Sequence, residues 1–139
     1  MRIELKRRND AVHLEAENED GFTINIDGAP AIGGQNLGMR PMQLVLSALG
    51  GCSTIDVIQI LKKQRQPLED IQVRLDGDRQ QNAIPSLFEK IHVHFTLKGA
   101  LDEKKVQRAV SLSMEQYCSV AKILEKTAEI TYSFEIVSG

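Results

Sequence analysis

Three short runs near the start of the chain, residues 2–8, 12–17 and 22–27, alternate apolar and polar residues. A period of two is typical of a β-strand with one buried face. Asn-Asp and Asp-Gly pairs, which favour turns, separate the runs. The pattern therefore predicts an antiparallel meander of three strands. The glycine-rich stretch at residues 28–40 predicts a loop after it.

A long helix is predicted next, over residues 41–66, where apolar residues recur at helical spacings on more than one side. Pro41 suits its first turn, because the missing N–H would be unpaired there in any case. A helix that is apolar over most of its circumference belongs in an interior or between layers. The Gly50-Gly51 pair in its middle costs about 0.5–1 kcal/mol per glycine relative to alanine. We expect another group to approach the helix backbone closely at this pair.

The rest of the chain predicts further strands and two more helices. The elements are strands at 70–79 and 88–98, a helix at about 103–116, a short helix after a break at 117–119, and a closing strand at 128–137. Asp102 is the predicted N-cap of the second helix. The helices are too few and too clustered for a doubly wound parallel sheet. We therefore predict a single α+β domain over residues 1–139.

Composition excludes several classes of function. The 139 residues are 42% hydrophobic and 26% charged, with a net charge of -2. This balance argues against a disordered chain and gives no electrostatic reason to expect DNA or an anionic membrane as partner. Aromatic residues are 4%, with no Trp, which disfavours a base-stacking platform. We expect a soluble cytoplasmic protein, since no apolar run approaches the roughly 18–20 residues that span a bilayer and no signal peptide is recognisable.

The two cysteines, Cys52 and Cys118, are the main candidates for chemistry. In a reducing compartment such thiols are catalytic, redox-active or simply buried as core residues. Cys52 follows two glycines within the apolar helix. Cys118 directly precedes the short third helix, with Ser119 as the predicted cap, which would place its sulfur near the positive end of that helix. Their spacing leaves open whether the sulfurs meet, because a disulfide needs Cα atoms within about 7 Å.

His92 and His94 share one face of the strand at 88–98 with two lysines. Two imidazoles at this spacing can bind a metal ion, but no further ligand cluster lies near them in the sequence. We therefore expect a solvated strand face, no metal site and no cofactor. A Cys-His hydrolase, with Cys52 paired to one of these histidines, stays a third possibility. The glycine-rich loop lacks the Lys-Ser/Thr of a phosphate-binding loop.

Two motifs and the order of elements resemble the OsmC/Ohr superfamily, named for osmotically inducible protein C and organic hydroperoxide resistance protein. The first motif is the segment from Gly38 through Pro41 and Leu44 to Cys52, and the second is YCSVAK from Tyr117. The stretches GGCSTIDVIQILKK and QYCSVAKILEK are most similar to the YhfA-like branch of that superfamily. The resemblance covers essentially the whole chain.

The resemblance implies an intertwined homodimer, with antiparallel sheets from both chains wrapped around central helices. It also implies a peroxiredoxin-like thiol peroxidase in oxidative-stress defence. Catalytic Cys52 would attack a small organic hydroperoxide and become a sulfenic acid. Catalytic Cys118 would resolve that sulfenic acid as a disulfide, which an external dithiol then reduces.

One departure from the family pattern keeps a second hypothesis open. Well-studied hydroperoxide-resistance members have Glu directly after the proline and an Arg from the N-terminal strands, which together activate the thiolate. Here Met42 follows Pro41, the neutral Gln43 is the candidate substrate-binding residue, and no N-terminal arginine can be matched. The alternative is a non-catalytic dimeric protein that binds a small apolar ligand in the interface cleft.

Overall fold

The computed structural model describes residues 1–138. It divides the chain into two compact units, residues 1–45 and the part from Leu46 onward. The predicted order of strands and α-helices is confirmed, and the fold is α+β as expected. That the whole chain acts as a single domain stays a prediction.

The first unit is the predicted antiparallel meander. Its strands are β1 (Ile3–Arg7), β2 (Leu14–Asn18) and β3 (Thr23–Ile26), in spatial order β1-β2-β3. Asn9 and Asn18 shape the turns, because each side-chain Oδ1 accepts two backbone N–H groups of the residues that follow. Ala16, which pairs with Leu5 and Ile24, is buried, but four larger apolar side chains of the same sheet face remain half exposed or more. They are Ile3, Leu5, Phe22 and Ile24.

The loop at residues 28–40 is organised around the buried side chain of Asp27, which is 1% exposed. Its carboxylate accepts the backbone N–H groups of Gly28, Gln35 and Leu37 at 2.8–3.0 Å. These hydrogen bonds lower the pKa of Asp27, with the Leu37 amide as the largest cause. The loop includes one 3₁₀ turn, Pro30–Ile32. These loop amides donate to the Asp27 carboxylate of the same chain, so they are not free to bind a phosphate group.

Helix α1 (Pro41–Lys63) runs unbroken through the glycine pair. One narrow stripe of it is buried, at Leu49, Gly50, Ser53, Val57 and Leu61. The apolar side chains elsewhere on its circumference include Ile55, which is 62% exposed in the single chain.

The length and composition of α1 differ from the expectation that no apolar run is long enough to span a bilayer. With a mean hydropathy of 1.7 over 18 residues, the helix is long and apolar enough to cross a membrane, whereas no run of that length was expected from the sequence. The core helix of a soluble protein has the same profile.

The second unit contains a three-stranded sheet of β4 (Leu68–Arg79), β5 (Phe88–Gly99) and β6 (Glu129–Val137). Strand β5 pairs antiparallel with β4 but parallel with β6. The expectation of purely antiparallel sheets is wrong for this pair, because a helical crossover returns the chain in the same direction. The alternation read from the sequence is confirmed, since Ile91, Val93, Phe95 and Leu97 are all buried. A Cβ at Gly50 would lie 2.7 Å from Leu75 Cδ1, so α1 packs closely on this sheet at the first glycine of the pair.

The crossover between β5 and β6 contains α2 (Glu103–Leu112) and α3 (Ser119–Leu124). The predicted cap is confirmed, because Asp102 Oδ1 accepts Lys105 N at 3.0 Å. The expected helix to residue 116 ends earlier, as a wide π-helical turn covers Ser113–Tyr117. The backbone N–H of Cys118 donates to Ser113 O at 2.8 Å across this turn. This five-residue closure redirects the chain immediately before the second cysteine.

Candidate active site

Cys52 lies in the middle of α1, one turn before Asp56 on the same helix face. Its side chain is half-buried. The neighbouring Gly51 is open: a Cβ there would meet no heavy atom within 4 Å outside its own stretch of helix. The first glycine of the pair therefore serves packing, whereas the second faces open space at the helix surface of the single chain.

Cys118 is completely buried and forms the N-cap of α3. Its Sγ accepts the backbone N–H of Ala121 at 3.4 Å. The expectation that Ser119 caps this helix is wrong, because Ser119 is its first helical residue. The expected place of the sulfur, at the N-terminal end of the helix, is where the structure has it.

The structure brings together the two thiols, which the sequence left apart. Cys52 Sγ, Cys118 Sγ and a carboxylate oxygen of Asp56 all lie within 4.8 Å of one another. Both cysteines are free thiols. A disulfide requires sulfurs about 2.0 Å apart, so the two thiols are near neighbours that have to approach further before they can form one.

Asp56 and Ser113 are site residues that the sequence analysis missed. The buried Ser113 Oγ lies 3.0 Å from Ser53 O and 3.2 Å from Asp56 Oδ2, so its proton is shared between the two acceptors. The hydroxyl thereby fixes the carboxylate beside the sulfurs. The four-residue spacing from Cys52 to Asp56 was a usable sequence signal, because α1 places both on one face.

Burial raises the pKa of the Cys118 thiol to about 11. The Ala121 amide opposes this shift by stabilising the thiolate, and the nearby Cys52 adds to it. Cys118 is consequently protonated at neutral pH. Of the two sulfurs, Cys52 is the one that solvent reaches.

A groove of about 570 Å³ begins at Asp56 and follows α1 towards its C-terminal end. Its lining combines apolar and charged side chains. The residues are Asp56, Gln59, Ile60, Lys63, Gln64, Arg108, Leu112 and Tyr117. The groove gives small molecules a largely apolar and partly cationic approach to the carboxylate.

The histidines belong to the opposite face of the sheet. Val73 and Leu75, on the face that α1 covers, pair with Phe95 and Val93, whereas His92 and His94 alternate with those residues. Their four ring nitrogens lie 2.7–3.1 Å from hydroxyl or carboxylate oxygens of β6. Each imidazole is therefore engaged away from Cys52, which argues against a Cys-His hydrolase.

The remaining candidate, Gln43, lies in the first unit, as do the N-terminal arginines that could not be matched to the family pattern. Gln43 Oε1 accepts the backbone N–H of Arg40 at 2.9 Å, as a side chain does when it caps the start of a helix. Arg7 donates to the backbone oxygen of Ala11, and Arg8 lies 4.0 Å from Glu15. A substrate-binding role for Gln43 stays a prediction.

Comparison with known proteins places these features in a family. The sequence model of a family described as "OsmC-like protein" matches residues 33–133. This chain belongs to the OsmC-like family. Its similarity to the Escherichia coli K12 protein named YhfA agrees, at 45% identity over 124 residues that cover 88% of this chain and 89% of YhfA.

Solved structures confirm the OsmC-like fold. A hypothetical protein from Aquifex aeolicus VF5 is 32% identical, with a TM-score of 0.86 over 99% of this chain and 96% of that one. The organic hydroperoxide resistance protein OhrB of Bacillus subtilis has a TM-score of 0.69 over 96% of both chains. OhrB is 19% identical, so it supports the fold alone. The resemblance read from the two cysteine motifs is confirmed.

Proposed function

We propose that this OsmC-like protein is a cysteine-dependent organic hydroperoxide reductase that acts through Cys52 and Cys118. The observation that carries the proposal is the approach of the two free thiols, one half-buried beside an open helix face and the other enclosed. Two thiols that differ in exposure in this way suit a reactive cysteine and a resolving cysteine. The proposed class of substrate is taken from the names of structural neighbours that share this fold and are called organic hydroperoxide resistance proteins.

In the first step, the Cys52 thiolate attacks one oxygen of the hydroperoxide and the O–O bond breaks. Cys52 becomes a sulfenic acid, and the peroxide leaves as an alcohol after taking one proton. The sulfur is oxidised by two electrons, and the O–O bond is reduced by the same two electrons. Cys52 takes this role because solvent reaches it and Cys118 is fully buried.

In the second step, the Cys118 sulfur attacks the Cys52 sulfenic acid, an S–S bond forms, and water leaves. The oxygen of this water comes from the peroxide, and its two protons come from the Cys118 thiol and the sulfenic acid. An external dithiol then reduces the disulfide by thiol–disulfide exchange and becomes a disulfide itself.

Asp56 supplies a carboxylate beside the sulfurs, although the position after Pro41 has Met42 in place of the family's Glu. Its distance of at most 4.8 Å from either sulfur suits a group that accepts a thiol proton directly or through one water. Ser113 then acts as a positioning residue, since its hydroxyl holds the carboxylate.

We further propose that the whole chain acts as a cytoplasmic homodimer of single-domain subunits. Support comes from apolar surface that the single chain leaves exposed, on α1 at Ile55 and on the first sheet at Leu5 and Phe22. Apolar surface of this kind is typical of an interface between subunits. Sedimentation of the purified protein at micromolar concentration tests the state: a monomer would contradict this part of the proposal.

The decisive experiment adds a stoichiometric organic hydroperoxide to the reduced, chelator-treated protein and follows its intact mass and free thiols. We expect a loss of two hydrogens per chain, both thiols consumed, and a Cys52–Cys118 peptide after digestion. Cys52→Ser should consume no peroxide. Two thiols that persist under excess peroxide would overturn the proposal and favour the non-catalytic protein that binds an apolar ligand.

A further inference from the structure

The same three side chains that approach each other at the dithiol are also a set of metal ligands. Two thiols and a carboxylate offer two sulfur atoms and one oxygen within 4.8 Å of one another. Sulfur and oxygen donors of this kind suit Zn²⁺, a borderline-soft cation that tolerates mixed ligands. We propose that the reduced protein binds one Zn²⁺ ion through Cys52, Asp56 and Cys118.

The distances fit such an ion after a small movement. Zn–S bonds of about 2.3 Å in a tetrahedron place two sulfurs about 3.8 Å apart. Since the donor atoms are at most 4.8 Å apart, each pair has to close by about 1 Å or less. Cys52 and Asp56 lie four residues apart on α1, the spacing at which two side chains on one helix face commonly bind the same zinc ion.

The surroundings also fit. Metal ligands are commonly oriented by hydrogen bonds from a second layer of residues. Asp56 has such a bond from Ser113, and the Cys118 sulfur is held by the Ala121 amide. Cys52 is half-buried, so a water from solvent can supply the fourth ligand. Three protein ligands with one open position form a common arrangement for zinc.

Binding is an exchange of protons for the metal. When both thiols are protonated, their two S–H protons pass to solvent, two Zn–S bonds form, and the Asp56 carboxylate adds one Zn–O bond. No atom is oxidised or reduced. A disulfide would consume both sulfur ligands, so oxidation would release the ion. This link to oxidation rests on the proposed function, whereas zinc binding by the reduced thiols does not.

The test uses the full chain, reduced, stripped with a chelator and kept anaerobic. Calorimetric titration with Zn²⁺ in two buffers of different ionisation enthalpy should give one ion per chain with proton release. Ser113→Ala should weaken binding about 10–100-fold, the usual loss when a residue that orients a ligand is removed. Ser111→Ala and Asp78→Asn, which change a second hydroxyl and an exposed carboxylate outside the cluster, should bind as the wild type does.

Co²⁺ in place of Zn²⁺ gives an independent spectroscopic readout. We expect thiolate-to-cobalt charge-transfer bands that weaken in Cys52→Ser and in Cys118→Ser and vanish in the double variant. If the double variant binds as tightly as the wild type, or if the cobalt protein lacks these bands, the proposal is wrong.

The link to oxidation has its own readout. As zinc occupancy increases, the rate of disulfide formation by hydroperoxide should fall in step with the remaining zinc-free fraction. Addition of a chelator should restore the rate. Oxidation that is unaffected by saturating zinc would refute this link. Because peroxide reduction itself is tested with chelator present, a failure of the proposed function is distinguishable from a failure of zinc binding.

Discussion

The Ser113 hydroxyl donates to Asp56 Oδ2 across 3.2 Å, although 57 positions of sequence separate the two residues. This hydrogen bond joins the turn that precedes Cys118 to the helix that holds Cys52. Ser113 is fully buried, so water cannot readily replace a hydrogen-bond partner that its hydroxyl loses. Ser113 therefore couples the position of one cysteine to the carboxylate beside the other.

The first prediction concerns this coupling. Ser113→Ala should slow hydroperoxide-driven disulfide formation about 10-fold, since the carboxylate loses the group that holds it. The apparent pH profile of the reaction should change with it, which a purely structural role would not cause. Stopped-flow measurement of thiol loss checks this, with Ser111→Ala as the matched control. Equal rates in both variants would contradict the positioning role.

The second prediction concerns the resolving thiol. Cys118→Ser should still consume one equivalent of peroxide, because Cys52 keeps its open approach. The sulfenic acid formed on Cys52 should then persist, as no second thiol is available to displace water. Trapping with a dimedone-type reagent and mass spectrometry will detect it. The Cys118→Ser chain has no second cysteine with which Cys52 could form a disulfide. If the sulfenic acid nevertheless disappears quickly, so that the reagent no longer labels Cys52, another group reduces it and Cys118 is not the resolving thiol.

The third prediction follows from the burial of Cys118, which raises the pKa of its thiol to about 11. The Cys52→Ser variant leaves Cys118 as the only thiol, and burial remains the main cause of its raised pKa. The rate of Cys118 alkylation should increase about 10-fold per pH unit from pH 7 to near pH 10, because the thiolate fraction grows at that rate below the pKa. Iodoacetamide labelling of the native protein measures it. The denatured variant serves as control and should level off near the ordinary thiol value of 9.0. A native profile that levels off there as well would contradict the prediction.

The fourth prediction separates the two glycines of α1. Gly51→Ala should stabilise the protein by about 0.5–1 kcal/mol, since it removes backbone freedom from the unfolded chain and a Cβ fits the open space. Gly50→Ala should lose that gain or destabilise, because its Cβ would lie 2.7 Å from Leu75 Cδ1. Urea denaturation of both variants makes the comparison. The opposite order of stability would show that the pair has another role.

The fifth prediction uses the lowered pKa of Asp27, caused mainly by the Leu37 amide. A carboxyl group whose pKa is lowered by folding stabilises the native state above its ordinary value of 3.8 and loses this effect as the pH falls through the lower native value. Asp27→Asn should therefore be less stable than the wild type at pH 7, with a difference that shrinks below pH 3.8. Thermal unfolding across this range measures the difference, and exposed Asp20→Asn should show little of it.

Much of the fold was readable from the sequence because the determinants are local. The alternation in β5 and the Asp102 cap act within a few residues, and both are confirmed. The π-helical turn at Ser113–Tyr117 was missed, since an apolar periodicity cannot distinguish a five-residue closure from an α-helical turn. The cap of α3 was displaced by one residue because a cysteine sulfur took the place expected for a hydroxyl.

The candidate site was only half readable. Cys52 and Cys118 were found as residue types in two family-like motifs, but their approach depends on tertiary packing that spacing does not encode. Ser113 lacks any sequence signal, because a serine near the end of a helix is common on surfaces and becomes informative only through burial. The only sequence signal for Asp56 was its four-residue spacing from Cys52, which indicates a shared helix face but does not by itself indicate a shared site.

The parallel pairing of β5 with β6 has a consequence for the order of events during synthesis. A parallel partner has to be reached by a crossover, and this crossover carries Cys118. The segment of α1 that contains Cys52 is synthesised before β5, before the crossover that contains Cys118, and before β6. During synthesis the chain therefore carries the Cys52 thiol alone until the crossover has been made, and a disulfide between the two cysteines becomes possible only after that point.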